Sequence, residues 1–429
     1  MSVTPDNLRE QVRQLGRQAR AASLRLAILS SDRKNAILLA MAAAVDSASA
    51  SILSANAKDL AAAQEAGLSS AMLDRLRLDE KAIRTMAEGI RHVATLPDPV
   101  GEVLRDWARP NGLRIRKRRT PIGVIGIIYE SRPNVTADAA VLCLKTGNAT
   151  ILRGGKEAIH SNLAIAAALA AGGASAGLPE HSIQLIPFTD RESVRHLCEM
   201  DDCLDLIIPR GGSGLIEAVV SMARMPVIKH YDGICHVYVD RAADLDMAEA
   251  IVINAKMAKP SACNAAETLL IHRDVAAKFA PKIAESLSAK NAELRGDAEF
   301  IRLVAGAGLV LAKIVPAEES DWRTEYLDYI LAVRIVADLD EAITHINTYG
   351  SRHSDTIVTA DPAAAERFQL EVDAACVFWN ASTRFNDGAE FGFGAEIGIS
   401  TDKLHARGPM GLEELCSYKY LLDGTGQVR

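Results

Sequence analysis

The sequence lacks an excess of basic residues and a long apolar run. Its 429 residues include 48 Lys and Arg against 55 Asp and Glu, which gives a net charge of −7. No overall basic field is therefore available to attract nucleic acid or an anionic membrane surface. The longest apolar run, AILLAMAAAV at residues 36–45, is too short to cross a bilayer, and the first residues carry charges where a signal peptide has its apolar centre. We expect a cytoplasmic protein with neither nucleic-acid nor membrane partners.

Paired cysteines are missing as well. The seven cysteines lie at positions 143, 198, 203, 235, 263, 376 and 416, with no CxxC pair and no regular spacing. This scatter argues against a disulfide scaffold and against a zinc site, so we expect a reducing compartment and no metal. With 49% hydrophobic residues, the chain is long enough to form two or three domains.

The sequence does contain an Ala-rich helical segment followed by two α/β blocks. Apolar residues at helical spacing predict a helix that Asp32 caps and Gly67 ends. From residue 140, strands such as ATILRG and DLIIP alternate with apolar helices, which is the rhythm of a doubly wound parallel sheet. A second α/β block begins at HVYVD and continues through TLLIH and later strands.

Two further stretches have alternative interpretations. The basic stretch RIRKRR at residues 114–119 could be a nucleic-acid patch, but its alternation favours a solvated strand face or a subunit contact. The tail YKYLLDGTGQVR predicts a final strand that pairs either with this basic hairpin or with another subunit.

Cys263 lies in the stretch KPSACNAAETLLIH, between a predicted helix and a predicted strand. Pro260 pushes the residue before it out of helical geometry, so Cys263 occupies a short loop of the kind in which catalytic residues concentrate. A free cysteine is more often a buried and inert small hydrophobe. Because an unperturbed thiol is only about 3% ionised at pH 7, a nucleophile here needs a nearby cation or amide donors. Lys259 and His230 are candidates by charge.

Two polar stretches follow predicted strands in the first α/β block. PRGGSGLIEAV places Gly211, Gly212 and Ser213 between a strand and a helix, where backbone amides can approach a phosphate at the helix N-terminus. An ordinary tight turn is an equal alternative, because the spacing matches neither GxGxxG nor the Walker motif. In YESRPNVTADAAVLCLKTGN, Asn134 precedes a helix and is interpreted either as a helix cap or as an amide that donates to an oxyanion.

Seven stretches in this order resemble the aldehyde dehydrogenase superfamily, and within it the glutamate-5-semialdehyde dehydrogenases of proline biosynthesis. They are SANAKDLAAAQEAGL, YESRPNVTADAAVLCLKTGNATILRGGKEA, LIIPRGGSGLI, PVIKHYDGICHVYVD, KPSACNAAETLLIH, EYLDYILAVRIV and FGFGAEIGISTDKLHARGPMGLEEL. The resemblance implies an α/β fold with two doubly wound domains and a small β flap for oligomerisation. It places a cofactor-binding domain in residues 1–105 and 123–236, a catalytic domain in 237–405, and the oligomerisation hairpin and tail in 106–122 and 406–429.

The resemblance also implies a reaction. Cys263 corresponds to the superfamily's thiolate nucleophile, and Asn134 corresponds to its oxyanion-binding amide. A thiolate that attacks L-glutamyl 5-phosphate would expel phosphate and leave a thioacyl enzyme, which a nicotinamide hydride reduces to L-glutamate 5-semialdehyde. This is the second step of proline biosynthesis from glutamate. The implied partners are the small-molecule substrate, other copies of the chain in a homo-oligomer, and glutamate 5-kinase.

The cofactor side of the resemblance points to NADPH. Arg153 falls where the superfamily has a Lys that reaches the adenosine ribose, and Glu325 matches the acidic partner of the nicotinamide ribose. Lys156 falls where NAD-selective relatives often have an acidic residue, and a cation there attracts a 2′-phosphate. We expect the Gly-rich turn at 211–213 to contact the diphosphate of NADPH.

One departure from the wider superfamily narrows the chemistry. Hydrolytic relatives carry a Glu in an ELGGK motif as the base for a deacylating water, whereas the corresponding segment here reads KHYDGIC and places His230 at that position. Without a carboxylate base the thioester survives for reduction, which favours an acyl-phosphate reductase. Asp232 and an unprotonated His230 keep a hydrolytic NAD(P)-dependent aldehyde dehydrogenase open as an alternative. A catalytically silent nucleotide-binding scaffold is the other.

Overall fold

The computed structural model describes residues 5–309 and 313–429. Its helices are α1 Pro5–Leu26, α2 Ser31–Ser47, α3 Ser49–Glu65, α4 Ser70–Leu76, α5 Glu80–Thr95, α6 Val135–Lys145, α7 Ile159–Ser175, α8 Glu192–Cys198, α9 Ser213–Met222, α10 Leu245–Met257, α11 Arg273–Ser288, α12 Ala298–Gly306, α13 Leu339–Tyr349 and α14 Pro362–Glu371.

The strands are β1 Val103–Ala108, β2 Arg114–Pro121, β3 Val124–Tyr129, β4 Ala149–Arg153, β5 Ile183–Leu185, β6 Leu206–Arg210, β7 Cys235–Val239, β8 Ala266–His272, β9 Glu293–Gly296, β10 Ile314–Pro316, β11 Ile330–Val336, β12 Ser354–Val358, β13 Cys376–Trp379, β14 Ile399–Ser400, β15 Gly408–Pro409 and β16 Cys416–Asp423. The chain forms two compact units, here called unit 1 (residues 1–229, 393–398 and 410–429) and unit 2 (residues 230–392 and 399–409).

The helical segment of unit 1 differs from the single predicted helix. It is broken at Ala48 into α2 and α3, which meet at a bend of 64°. Ser30, with extended backbone, caps α2 by accepting a hydrogen bond from the Arg33 amide (3.4 Å), and Asp32 lies within the first turn. A serine one residue before the helix has the backbone geometry that a cap requires, so the prediction of Asp32 as the cap was wrong. Gly67 adopts a positive φ just beyond α3, as expected for a residue that ends a helix.

The parallel sheet of unit 1 has the strand order β5-β4-β3-β6. Strand β3 (VIGIIY) is buried along its whole length, which is typical of a parallel strand covered on both faces. The carboxyl ends of β3, β4 and β6 are followed by three polar segments, at residues 130–134, 153–156 and 210–213. Ligands of open parallel sheets bind at this edge.

The parallel sheet of unit 2 has seven strands in the order β10-β9-β11-β8-β7-β12-β13. Successive residues of its strands point to opposite faces. Val237 and Val239 pack in one core with residues of α10, α11 and α12, whereas Tyr238 packs in a second core with residues of α13 and α14. Helices therefore cover both faces, and the prediction of a doubly wound α/β fold is confirmed.

The basic strand belongs to a three-stranded antiparallel sheet of unit 1 with the order β1-β2-β16. The tail thus pairs with the basic hairpin of its own chain, which is one of the two predicted alternatives. Arg114 forms an ion pair with Asp106, and Arg116 forms one with Asp423 (2.8 Å). Arg114 and Arg116 are therefore matched by carboxylates of the same sheet, and Lys117 lies 3.5 Å from the centroid of the Tyr418 ring.

One helical stretch, Lys156–Ser175, is apolar and long enough to cross a membrane by length and composition alone. A core helix of a folded domain passes the same test. Here α7, which forms most of this stretch, packs against α2 and α3, and its buried residues include Ile165 and Leu169.

Candidate active site

Cys263 occupies the loop between α10 and β8 and is partly buried. The loop is held by its own backbone, because the Ala262 and Ala265 amides donate to the carbonyls of Lys259 (3.1 Å) and Ala262 (2.9 Å). The next residue, Asn264, is buried and anchors the loop to the segment at 383–386. Its side-chain amide donates to the Asn386 carbonyl (3.0 Å), and the Thr383 hydroxyl donates to the Asn264 carbonyl (2.7 Å). The predicted nucleophile therefore sits on a rigidly held loop.

The backbone of Cys263 is in close contact with the segment that precedes β7. A Cβ atom at Gly233 would lie 2.0 Å from the Cys263 carbonyl oxygen, so only glycine fits there. The Cys235 thiol donates to the same oxygen (3.3 Å), and burial raises the pKa of Cys235 well above its usual value. Cys235 is therefore a neutral donor that fixes the loop.

Glu325 lies beside this segment. Its Oε1 accepts a hydrogen bond from the Gly233 amide (2.9 Å), and desolvation raises the pKa of its carboxyl group. One oxygen of Glu325 thus supports the backbone against which Cys263 packs. The predicted contact of Glu325 with a nicotinamide ribose remains a prediction, which the second carboxylate oxygen could fulfil.

His230, the residue predicted to replace a catalytic glutamate, has a defined orientation within unit 2. Its Nδ1 lies 2.9 Å from the Ile399 carbonyl oxygen, so Nδ1 must donate and a neutral ring carries its lone pair on Nε2. The ring also meets the ring of His353 edge to face, at 5.6 Å between centroids. Lys259, the other cation considered for Cys263, is exposed on the loop.

A buried ion pair closes the base of the Cys263 loop. Lys256 lies in the last turn of α10 and Glu267 lies in β8, so the two residues flank the loop, and their Nζ and Oε2 atoms are 2.6 Å apart with both side chains fully buried. Burial raises the pKa of Glu267 to about 7 and lowers the pKa of Lys256, while their mutual attraction opposes both shifts. The ion pair thus joins α10 to β8, the two elements that the Cys263 loop connects.

Asn134 occupies the position before the first residue of α6, but its side chain forms no cap hydrogen bond. The side-chain amide is exposed and donates from Nδ2 to Asp138 Oδ2 (2.8 Å). Residues four apart on a helix face the same side, so Asp138 fixes the direction of the amide. The interpretation of Asn134 as a helix cap is wrong, and its predicted role toward an oxyanion stays open.

Arg153 ends β4, with its guanidinium buried against backbone carbonyls. Nη1 donates to the Gly154 carbonyl (2.9 Å) and Nη2 donates to the Thr189 carbonyl (3.1 Å). Its Nε is buried without a partner among the described residues, and desolvation lowers the pKa of Arg153. Lys156, three residues further along, is exposed and forms no ion pair within the described part of the chain.

The Gly-rich turn precedes α9, with Gly212 before its first residue and Ser213 as that residue. Ser213 does not cap the helix, because Gly212 occupies the cap position and no side-chain cap bond forms. Instead the Gly212 amide donates to Glu130 Oε2 (3.0 Å), and a Cβ at Gly211 would lie 2.6 Å from the carboxyl carbon of Glu130. An anionic group therefore already faces this turn.

These residues fit a dinucleotide at the strand ends of unit 1. A Cβ at Gly212 would meet no atom within 4 Å, so the surface of the turn is open. The orphaned Nε of Arg153 supplies a donor and Lys156 supplies an exposed charge, and both suit the ribose and phosphate groups of a nucleotide.

Comparison with known proteins identifies the family. The aldehyde dehydrogenase family model matches residues 2–298. A gamma-glutamyl phosphate reductase from Opitutus terrae is 56% identical over 424 residues, which cover 99% of each chain. The chain belongs to the gamma-glutamyl phosphate reductases of the aldehyde dehydrogenase family. The crystal structure of such a reductase from Thermotoga maritima, 44% identical, superposes with a TM-score of 0.94 over 97% of this chain and 99% of that one. An acetylating aldehyde dehydrogenase from Geobacillus thermoglucosidasius, 18% identical, has a similar fold (TM-score 0.69, 99% of each chain).

Sequence reasoning missed several residues that support the candidate site. Asp138 had a signal, because it lies four positions after Asn134 on a predicted helix. No signal in the sequence marks Glu130, Gly233 or the Lys256–Glu267 pair, since each contacts its partner through the tertiary fold.

Proposed function

We propose that the protein reduces L-glutamyl 5-phosphate to L-glutamate 5-semialdehyde and releases phosphate, with NADPH as the reductant. Membership of the aldehyde dehydrogenase family makes the chain an oxidoreductase that acts on an aldehyde group. The assignment of this substrate and product rests on the full-length 56% identity to a gamma-glutamyl phosphate reductase. The loop that holds Cys263 supports it, because a nucleophile must be held in a fixed position.

In this mechanism the Cys263 thiolate attacks the acyl phosphate. The carbon–sulfur bond forms first and gives a tetrahedral intermediate, and its collapse breaks the bond to phosphate and leaves a thioacyl group on Cys263. The Asn134 amide, directed by Asp138, donates to the oxyanion of the tetrahedral intermediate. NADPH, when bound, supplies the hydride that reduces the thioester. The resulting hemithioacetal collapses to the aldehyde as its carbon–sulfur bond breaks, which regenerates the Cys263 thiolate.

The preference for NADPH is inferred from Lys156. Its exposed ammonium has no carboxylate partner among the described residues, so it is available to a 2′-phosphate. Arg153 would bind the adenosine ribose through its orphaned Nε, and Glu325 would bind the nicotinamide ribose. The amides of the Gly-rich turn at 211–213 would face the diphosphate once the Glu130 carboxylate releases the Gly212 amide.

The alternative is a hydrolytic aldehyde dehydrogenase. Its deacylating water needs a base near the thioester, and His230, whose Nδ1 is committed to the Ile399 carbonyl, has only Nε2 to offer. Glu267 is committed to Lys256 and fully buried. The commitment of Glu267 removes one candidate base, whereas Nε2 of His230 is a second candidate, and the phosphate dependence of the reverse reaction distinguishes the two functions.

We also propose that the protein forms a homo-oligomer through the three-stranded sheet. Tyr418, Tyr420 and Leu422 alternate along β16 and are 48%, 51% and 59% exposed, so one face of that sheet presents an apolar row to a partner. The variant in which Tyr418, Tyr420 and Leu422 are all replaced by Ser should sediment as a smaller species than the wild type. A glutamate 5-kinase that hands over the labile acyl phosphate is a further proposed partner in the cytoplasm.

The reverse reaction tests the function. Glutamate semialdehyde and NADP⁺ should yield NADPH only when phosphate or arsenate is present, and Cys263→Ala should abolish that activity. Cys203→Ala is the matched control for loss of a thiol, because Cys203 is buried in unit 1 and has no part in the candidate site. Activity that ignores phosphate would support the hydrolytic alternative, and activity that survives Cys263→Ala would overturn the mechanism.

A further inference from the structure

Unit 1 contains a cavity of about 390 Å³ next to Asn134, here called the basic pocket. Its polar lining consists of Arg75, Arg77, Asp79, Lys81, Thr85, Asn134 and Asp138. The volume is typical of a site for a small molecule. The residue predicted to contact the reacting carbonyl oxygen thus forms part of a pocket whose other walls come from the end of α4, the beginning of α5, the residues between them, and Asp138 of α6.

The charges of the basic pocket are unbalanced. Arg75, Arg77 and Lys81 are exposed and form no ion pair within the described residues, although Arg84 on the same helix pairs with Glu80 (3.5 Å). With Asp79 and Asp138 in the same lining, three cations face two carboxylates, and the remaining positive charge favours an anionic group in the ligand.

The two carboxylates of the basic pocket are already hydrogen-bonded. Asp79 caps α5 by accepting from the Ala82 amide (2.7 Å), and Asp138 accepts from Asn134 through Oδ2. A carboxylate has two oxygens and several acceptor sites, so Asp138 retains Oδ1 for a further donor. Asp79 retains Oδ2 in the same way, so the pocket offers cations together with carboxylate acceptors.

The segment that carries the arginines is held rigidly from below. Buried Asn56 donates from Nδ2 to the Leu76 carbonyl (2.8 Å) and accepts at Oδ1 from the Leu78 amide (2.9 Å). Leu76 and Leu78 are buried while Arg75 and Arg77 are exposed, so the clamp turns the leucines inward and the arginines outward. The clamp thus fixes the backbone from which both arginine side chains project toward the basic pocket.

We propose that the basic pocket binds the α-amino acid end of the substrate, with Arg75 and Arg77 on the α-carboxylate and Asp138 facing the α-ammonium. This proposal rests on the proposed function. The substrate has two anionic groups, and the acyl phosphate is purely anionic, so a carboxylate such as Asp138 would repel it. The α-amino acid end carries one charge of each sign and matches both kinds of side chain. Arg guanidinium groups also fit a carboxylate with two parallel hydrogen bonds.

The test compares two aldehydes in the phosphate-dependent reverse reaction. Glutamate semialdehyde carries the α-amino acid end and butanal does not, so the wild type should strongly prefer the former. Arg77→Ala should reduce the ratio of the two kcat/KM values about 10–100-fold, as expected for loss of a charged hydrogen bond. Arg77→Lys should keep part of the preference. Arg84→Ala, an exposed arginine of α5 outside the pocket, should leave the ratio unchanged.

Four outcomes of these experiments bear on the proposal. If the ratio of the two kcat/KM values is unchanged in both Arg75→Ala and Arg77→Ala, the proposal is overturned. It is also overturned if these variants raise the KM for phosphate and leave the KM for the aldehyde unchanged, because the pocket then binds the phosphate. Calorimetric titration with L-glutamate gives an independent readout: the wild type should bind it at least tenfold more tightly than Arg77→Ala. If the wild type binds L-glutamate in this way but shows no phosphate-dependent turnover, the proposed function fails while the pocket assignment stands.

Discussion

Replacement of Lys256 by Met removes the positive half of the fully buried ion pair beneath the Cys263 loop. Breaking a buried pair by loss of one partner destabilises a protein by about 3–5 kcal/mol, because the remaining charge is left without compensation. Replacing both partners by apolar residues is often neutral. We therefore expect Lys256→Met and Glu267→Gln each to be severely destabilising, and the Lys256→Met/Glu267→Met double variant to recover most of the loss.

The pH dependence of the two single variants should have opposite signs. In Lys256→Met, Glu267, whose pKa burial already raises to about 7, keeps its proton in the folded state while the unfolded chain releases it above about pH 4.5. Its free energy of unfolding should fall as pH rises. In Glu267→Gln, folded Lys256 loses its proton more readily than unfolded Lys256, so the free energy of unfolding should fall as pH decreases.

The measurement is urea unfolding between pH 6 and pH 8, followed by tryptophan fluorescence. In a Trp107→Phe background the remaining tryptophans, Trp322 and Trp379, both report on unit 2. Lys282→Met is the matched control, because Lys282 forms a more exposed pair and should cost at most about 1 kcal/mol. If the losses in the free energy of unfolding of the two single variants simply add in the double variant, and the single variants show no opposite pH trends, this account of the ion pair is refuted.

Three further predictions concern turnover, cofactor choice and acid stability. Asn134→Ala should lower kcat about 100–1000-fold with little change in KM, as for loss of one oxyanion donor, and an unchanged kcat would exclude that role. Lys156→Glu should reduce the NADPH-to-NADH ratio of kcat/KM about 10–100-fold, since a charged hydrogen bond is lost; a constant ratio would argue against contact with the 2′-phosphate. Desolvation lowers the pKa of buried His345 to about 2, so the unfolded chain binds a proton below pH 6.5 that the folded chain does not, and stability falls as pH falls. His345→Gln should flatten this loss by about 1.4 kcal/mol per pH unit in urea titrations between pH 6 and pH 4, whereas exposed His160→Gln should not.

The regular elements were predictable because their signals are local. Continuous apolar runs indicated β3 and β8, and Pro260 indicated the loop that carries Cys263. The cap of α2 was misplaced by two residues, since both Ser30 and Asp32 are good caps and only the backbone decides between them.

The supporting residues of the site were not predictable in the same way. Lys256 and Glu267 have the appearance of surface charges, and only the packing of α10 on β8 buries them. The basic pocket brings Arg75 and Arg77 next to Asn134 from more than fifty positions away in the sequence. Periodicity reports on which face of an element is buried, but it carries no information about which distant side chains meet.

The three-stranded sheet has a consequence for the order of folding. Strand β2 has β16 as one of its two neighbours, and the paired residues Arg116 and Asp423 lie 307 positions apart, so this pairing forms only after almost the whole chain is available. Until then one edge of β2 exposes unpaired amides and carbonyls, which are a template for aggregation. Repeated Arg and Lys side chains on an open edge oppose such pairing by mutual repulsion. The basic residues of β2 thus oppose association of the incomplete chain through this edge until β16 arrives, when Asp423 pairs with Arg116.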